Sequence, residues 1–587
     1  MSGIVSNSEL AGVARTAAGR SVAGRFFALL CEGRTATFWT ATAGGVLLWL
    51  AFPPAGLWPL AFAAPAFWLR LVRRATLAGR APYRQLYLAG LVHWLLLIQW
   101  MRLPHWSASF GWLALSAYLA AYLPVFIAVT RVAVRRLGVP SIVAAPVVWT
   151  GLELARGHLL TGFSLALLGH SQVAWIALIQ LSDLAGAYGV SFLVMLVAGC
   201  LERAAGGGLR QWRWWPLGVA AASVAAALGY GFHRLDVLDG RASAARALRV
   251  ALIQGSVDTQ FDGDENRFAQ TFADYRQLSL QAVRDHRDLD LIIWPESMFT
   301  GSWPLVSYRE PIELPAESPF SASELVAALA QHAEAGRNKA RWSADELGTA
   351  MLVGSEVIHY QGARVDRYNS ALLINGAGEV DARYDKMHLV MFGEYVPLGR
   401  WFPWLYALTP MSDGLTPGAG PVAMQVAGWR LSPSICFENT IPHLIRRQVN
   451  ELSRAGQEPD LLVTVTNDGW FWGSSLLDLH LTCGVFRAVE NRRPLLIAAN
   501  TGLSAAIDAT GRTGARGPRR APAVLMAEVQ GGGPLSGYRR WGDLPAAVCL
   551  GLSLLVGLAG MAERAGGVRF SNTVWSEPRD GSCTSGG

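Results

Sequence analysis

A chain of 587 residues of which 52% are hydrophobic and only 16% charged is too apolar to be water-soluble throughout. Its net charge of +7 comes with no helix-turn-helix, zinc-finger or RNA-binding signature, so it does not call for a nucleic-acid partner. Arginines at the cytoplasmic ends of membrane helices, near anionic lipid, account for it.

In chain order, residues 1–35 are polar and arginine-bearing and lack a compact apolar stretch ending at a small-residue cleavage site. They read as a cytoplasmic tail, not a signal peptide. Between Ala36 and Phe232, apolar runs of roughly 15 to 25 residues recur, the length an α-helix needs to cross a hydrocarbon core. They predict spans near 36–52, 57–71, 86–101, 109–130, 140–155, 176–200 and 214–232, with an eighth at 544–561. Backbone groups in lipid have no water to bond, so the spans are expected to be helices. An even number of them puts both termini on one side.

The side follows from charge. Arg15, Arg20, Arg25 and Arg34 precede the first span, Arg73, Arg74, Arg80 and Arg84 follow the second, Arg131, Arg135 and Arg136 follow the fourth, and Arg203, Arg210 and Arg213 follow the sixth. Alternate connections such as Phe52-Pro53-Pro54-Ala55-Gly56 carry almost none, so the arginine-rich side is expected to be cytoplasmic. The expected organisation is a seven-helix membrane domain over 36–232, an extracytoplasmic domain over 233–543, a final span at 544–561 and a disordered cytoplasmic tail over 562–587. Glu153 and Asp183 stand out because carboxylates beside membrane spans are costly. Contact with a lipid head group and a fold-stabilising pair with Arg156 or a similar residue are both open for them.

The outer region alternates β-rich and helical patterns. Strands are predicted at 248–254, 289–294, 350–358, 370–374, 430–435, 461–466 and 495–499, and helices near 264–285, 322–335, 440–455 and 475–491. Such alternation argues for layered α/β packing. Residues 300–345 and 510–535, rich in Pro, Gly and charge, read as loops.

Of the six cysteines, Cys31, Cys200 and Cys549 sit in or beside spans, Cys583 lies in the tail, and Cys436 and Cys483 fall in the outer region. No cysteine or histidine group has zinc-ligand spacing, and neither a Walker loop nor a dinucleotide fingerprint is present. No metal or cofactor is expected. Gly162-Phe163-Ser164-Leu165-Ala166 only partly mimics a serine-hydrolase elbow and lies between spans.

Three residues carry chemistry. Glu296 (Trp294-Pro295-Glu296-Ser297), Lys386 (Tyr384-Asp385-Lys386-Met387-His388-Leu389-Val390) and Cys436 (Pro433-Ser434-Ile435-Cys436-Phe437-Glu438-Asn439) each close or follow a short apolar β-rich run. Their side chains can therefore emerge at the rim of a sheet. A cysteine attacks carbonyls as thiolate, a carboxylate can take its proton, and a buried ammonium stabilises thiolate and oxyanion alike. Each also has a plainer reading: a small buried hydrophobe for Cys436, a helix cap for Glu296, a solvated loop charge for Lys386.

The wording around them decides between these readings. Trp-Pro-Glu-Ser, then Tyr-Asp-Lys-Met-His-Leu-Val-x-Phe-Gly-Glu-Tyr-Val-Pro, then Ile-Cys-Phe-Glu, then Thr-Asn-Asp-Gly-Trp-Phe at Thr466 to Phe471 occur in that order. The chain resembles the carbon-nitrogen hydrolase (nitrilase) superfamily and, within it, the apolipoprotein N-acyltransferases of bacterial membranes, from about Ala36 to Ala562. The resemblance implies an α-β-β-α sandwich with the triad at one end, joined to about eight membrane helices. It implies Glu296 as general base, Lys386 as stabiliser of thiolate and oxyanion, and Cys436 as acyl-carrying nucleophile. Glu394, Glu438, Asn369 and Phe437 match further positions of its active site, with loop anchoring the structural alternative for the two carboxylates. Cys483 is then structural, since a disulfide with Cys436 would abolish the nucleophile.

The implied reaction passes a fatty acyl chain from a membrane phospholipid through a cysteine thioester to the α-amino group of diacylglyceryl-cysteine at a lipoprotein N-terminus. The implied place is the bacterial inner membrane, the catalytic domain outside, with phospholipid and lipoprotein as partners and the protein a monomer. Two departures are visible. Met391 stands where the family commonly has proline, and Asp262-Gly263 stands where many members have Lys-Trp, which leaves Phe261 as the candidate aromatic. A membrane-tethered amidase using water, and a non-catalytic transporter or scaffold, remain the alternatives.

Overall fold

The computed structural model describes residues 33–205, 213–240, 247–259, 265–301, 304–313, 321–399, 401–408 and 414–564. Most of both terminal tails, with Arg15, Arg20, Arg25, Cys31 and Cys583, lies outside them, as do Arg210, Phe261, Asp262 and Gly263.

Each of the eight apolar stretches holds a helix. They are α1 (Ala36–Ala51), α2 (Leu60–Arg73), α3 (Pro82–Leu97), α4 (Ala108–Ala120) continuing into α5 (Tyr122–Arg135), α6 (Ser141–His158), α7 (Ser182–Ala205), α8 (Trp215–Asp239) and, near the end of the chain, Leu544–Arg564. Among the described residues, Ala108–Arg135, Ser182–Ala205, Trp215–Asp239 and Leu544–Glu563 are long and apolar enough to cross a membrane. The stretch predicted at 176–200 is corrected: Ile176–Ile179 is a separate short turn and the long helix begins at Ser182. Gln180 lies between them and donates to the Thr510 carbonyl at 2.8 Å, turning the chain toward the outer region. Gly186 then kinks α7 at φ 64°, where a β-carbon would meet the Tyr538 ring at 2.8 Å.

The arginine-bearing helix ends converge. Arg131 donates to the carbonyls of Leu71, Val72 and Arg74 at the end of α2, Arg73 pairs with Glu202 of α7 at 3.3 Å, and Arg136 pairs with Glu563 at 2.7 Å. The Arg131 guanidinium satisfies carbonyls that the end of α2 leaves without partners.

Residues 248–529 form two facing sheets. The first runs in the order β13 (Ala523–Val529), β1 (Leu248–Gln254), β2 (Leu291–Ile293), β4 (Ala350–Gly362), β5 (Arg364–Ile374), β6 (Val380–Asp385), with β3 (Leu305–Ile312) also on β4. The second runs β12 (Thr513–Arg516), β11 (Ala505–Ile507), β10 (Leu495–Ala499), β9 (Leu461–Thr466), β8 (Trp429–Ile435), β7 (Met424–Val426). Val250, Leu252, Ile293 and Leu352 of the first sheet pack in one core with Leu431, Ile435, Val463 and Leu496 of the second. Helices α9 (Glu265–Asp285) and α10 (Ala322–Leu347) cover the outer face of the first sheet through Tyr275, Ala282, Ala340 and Leu347. Helices α11 (Pro442–Arg454) and α12 (Leu476–Asn491) cover the second. The result is four layers, α-β-β-α.

The reading of 300–345 and 510–535 as loops is corrected. The first holds β3 and α10, which starts with the helix expected near 322–335 but runs on to Leu347, and the second holds β12 and β13. The lone proline of β3, Pro311, lies where the β3–β4 register shifts, so it interrupts little pairing. β13 pairs antiparallel with β1 along its whole length, Leu248 opposite Val529, which draws the two ends of the domain together before Leu544–Arg564, hereafter α13.

Candidate active site

Glu296 follows β2, Lys386 follows β6 and Cys436 follows β8. β2 is parallel to β4, and two antiparallel steps through β5 return β6 to the same direction, so Glu296 and Lys386 leave one edge of the first sheet. Cys436 leaves the facing sheet. Gly354 of β4 lets the Glu296 turn lie close, since a β-carbon there would stand 2.5 Å from the Glu296 Cα.

The two carboxylates and the ammonium meet. Lys386, 1% exposed, places Nζ 2.7 Å from Glu394 Oε1 and 3.6 Å from Glu296 Oε1. Asn369 donates through Nδ2 to both carboxylates, at 2.7 Å to Glu296 and 3.2 Å to Glu394. The Asn467 N–H holds the other oxygen of Glu296 at 2.8 Å, and the Val390 N–H that of Glu394. Burial disfavours the charged form of Lys386, but Glu394, Glu296 and the Cys436 sulfur outweigh it and raise its pKa, so it remains an ammonium. Burial also pushes the Cys436 thiol well up; Glu296 and Asp468 add to that, while Lys386 and the Thr466 hydroxyl oppose it. The resting sulfur is a thiol that needs a base.

Glu438 is fully buried and accepts four hydrogen bonds. Oε1 takes the Met387 and His388 N–H groups at 2.8 and 3.0 Å, and Oε2 takes the Ile435 N–H and the Tyr384 hydroxyl, both at 2.8 Å. That is the anchoring arrangement, tying the segment after Lys386 to the strand before Cys436. Phe437 is half-buried and stacks on His388 with ring centres 6.0 Å apart. Cys483 is buried on α12 and, like Cys436, a free thiol.

Sequence reasoning gave no role to three neighbours. The Asn467 backbone fixes Glu296, Asp468 accepts from the Thr466 hydroxyl at 3.1 Å, and His480 lies between Asp468 and the Cys436 carbonyl. Asn467 and Asp468 stood in a quoted motif; a single histidine on an apolar helix gave no signal.

The two carboxylates near spans have protein partners. Asp183 Oδ2 lies 2.7 Å from Arg234 and 2.9 Å from Arg492 and accepts from the Tyr230 hydroxyl. Glu153 accepts from the Trp149 indole and the Leu168 N–H. Away from the triad, His158, His443 and Asp543 each offer one ligand atom, all within 4.8 Å of one another, the one such group among the described residues. His158 is exposed, and nothing joins the group to the thiol's chemistry.

Residues 44–200 match the family described as Apolipoprotein N-acyltransferase N-terminal domain, and residues 249–533 match Carbon-nitrogen hydrolase. An apolipoprotein N-acyltransferase of Geobacter metallireducens is 35% identical over 538 residues, 88% of this chain and 94% of its own. One of Rhodopirellula baltica is 32% identical over 565 residues, 89% and 96% respectively. Among solved structures, an amidase from Nesterenkonia sp. is 20% identical with a TM-score of 0.33, covering 50% of this chain and 94% of its own.

Proposed function

Because this chain belongs to the apolipoprotein N-acyltransferase family, we propose that Cys436 carries the fatty acyl group that it moves from a phospholipid to the N-terminal amine of a lipoprotein. The observation that carries this assignment is the buried Lys386 ammonium, held between Glu394 and Glu296 and acting on the Cys436 sulfur. Glu296 takes the thiol proton as sulfur attacks the ester carbonyl, and Lys386, already fully charged, stabilises the oxyanion without giving up a proton. Collapse expels the lysophospholipid alkoxide, which receives that proton from Glu296 and leaves a thioester. The neutral α-amine of diacylglyceryl-cysteine attacks next, its proton passes to Glu296, and the amide forms as the thiol is restored.

Asn369 keeps both carboxylates beside one lysine, and Glu438 is an anchor, not a proton carrier, because all its acceptor positions are filled from the protein. We place eight helices across the membrane with the arginine-bearing ends in the cytoplasm and residues 233–543 outside. The convergence of Arg131, Arg73 and Arg136 at one end supports this. At the opposite end the bundle touches the catalytic region, Trp100 against Phe471 and His158 against His443. Exposed Phe392, Leu398, Trp401 and Trp404 support a gate for lipid chains among the described residues between 391 and 408.

The test is incubation of purified protein with labelled phospholipid. Hydroxylamine-labile label on the wild type and none on Cys436→Ala, followed by transfer to a diacylglyceryl lipopeptide, is the expected result. Release of free fatty acid despite available lipopeptide would instead make the protein a hydrolase.

A further inference from the structure

We infer that His480, held by Asp468, is a positioning residue that fixes the Cys436–Phe437 peptide so that the Phe437 N–H faces the carbonyl under attack. The inference rests on Cys436 being the acyl carrier.

The backbone at the nucleophile is unusual. Ile435 is extended, whereas Cys436 has φ 52°, a left-handed conformation that costs a non-glycine residue about 1–2 kcal/mol. A turn of that kind persists only where its surroundings hold it. The hold is visible: the Cys436 carbonyl lies 3.0 Å from His480 Nε2, and His480 Nδ1 lies 3.2 Å from Asp468 Oδ2. Both side chains are buried, and Asp468 is steadied in turn by the Thr466 hydroxyl.

The partners bear on the ring's protons. A carbonyl and a carboxylate only accept, so both contacts are hydrogen bonds when both ring nitrogens carry protons. The charges agree: burial lowers the His480 pKa, but Asp468 and the Cys436 carbonyl outweigh it and the net shift is upward.

The consequence follows from peptide planarity. In a trans peptide the C=O and the next N–H point in opposite directions. With the Cys436 oxygen drawn toward α12, the Phe437 N–H points away from that layer, toward the first sheet, where Lys386 and Glu296 emerge. Phe437 is the second residue of the short turn Cys436–Thr440, so its N–H has no partner within the turn. It is free to meet an oxyanion on the carbonyl that Cys436 attacks.

The experiment uses the full-length protein in detergent, phosphatidylethanolamine with a fluorescent acyl chain, and iodoacetamide as a probe that alkylates sulfur without forming an oxyanion. His480→Ala is expected to slow thioester formation about 10- to 100-fold at saturating donor, with half-saturation unchanged and alkylation within about threefold. His480→Gln, whose amide N–H can still reach the Cys436 carbonyl, should recover most of the loss. Should His480→Ala fail to fold, Asp468→Asn, which removes the anionic partner and leaves the imidazole, is expected to show the same split, about tenfold. Equal slowing of acylation and alkylation, no slowing of either, or a Gln variant as slow as Ala overturns the inference. Label that persists on Cys436→Ala would instead overturn the acyl-carrier assignment beneath it.

Discussion

Glu438→Gln is a small change with a calculable effect. The carboxylate is fully buried and receives the N–H groups of Met387, His388 and Ile435 and the Tyr384 hydroxyl. A glutamine of the same shape keeps one oxygen for Met387 and His388. Its NH2 then faces two former donors; the tyrosine hydroxyl can rotate to accept, but the Ile435 N–H cannot. One buried N–H left unsatisfied costs about 1–3 kcal/mol, which at roughly 1–2 °C per kcal/mol for a unit of this size lowers Tm by about 2–4 °C for a 2 kcal/mol loss. Glu438→Ala strips all four donors of their partner and should cost about 4–6 kcal/mol, a large part of a typical folding free energy. Because the tethered groups flank Lys386 and Cys436, Glu438→Gln should also slow thioester formation roughly tenfold while half-saturation by phospholipid stays put. Thermal melting in detergent and single-turnover labelling measure both. If Glu438→Gln melts within a degree of the wild type and acylates at its rate, Glu438 is not the tether described.

Asn369→Ala frees Glu296 and Glu394 from their shared donor and should slow thioester formation about 10- to 100-fold; a rate within twofold of wild type refutes the shared-donor role. Because burial holds the Cys436 proton well above the ordinary range, alkylation by iodoacetamide should climb about tenfold per pH unit from pH 7 to 9 without a plateau. Glu296→Gln removes the base that takes the thiol proton, so its acylation should collapse while residual alkylation still climbs with pH; a plateau below pH 8 contradicts this. Asp183→Ala leaves two guanidiniums without their shared carboxylate and should cost about 3–5 kcal/mol, read as a fall in Tm of at least about 3 °C.

What could be read in the sequence was what lies in contiguous words. β10 stands where an unbroken run of Leu, Ile and Ala puts it, and β1 and β9 stand on mostly apolar runs interrupted by Arg249 and by Thr464, because strands buried on both faces need little polar alternation. The C-terminal end of α10 was the avoidable miss. Ser321 and Glu324 form a capping box that marks its start, but the helix runs on through charged Arg337, Lys339 and Arg341 to Leu347 before Gly348 ends it at φ 62°. β3 and β13 are only partly buried, so their sequences lack a strong apolar period. At the site, Glu296, Lys386 and Cys436 could be singled out because each sits in a long motif. For Glu438 the sequence left anchoring and chemistry both open, and His480 gave no signal, since a tether is defined by which distant N–H and C=O groups reach it.

Helix α12 explains why a hydrolase-like sandwich is fused to this bundle. At one end His480 lies beneath the nucleophile's carbonyl, and at the other Arg492, its C-cap, is paired with Asp183 at the start of α7. Between them Glu490 accepts the Ala187 N–H of α7 and pairs with Arg487, both charges fully buried. At 1.5 Å per residue the twelve steps from 480 to 492 span roughly 18 Å, so one rigid element sets the distance between the thiol's support and the apolar helix. A loop would let that distance vary and leave lipid carbonyls to find the sulfur by chance. A helix clamped by buried ions at one end and set beneath Cys436 at the other holds the thiol at a fixed height above the bundle.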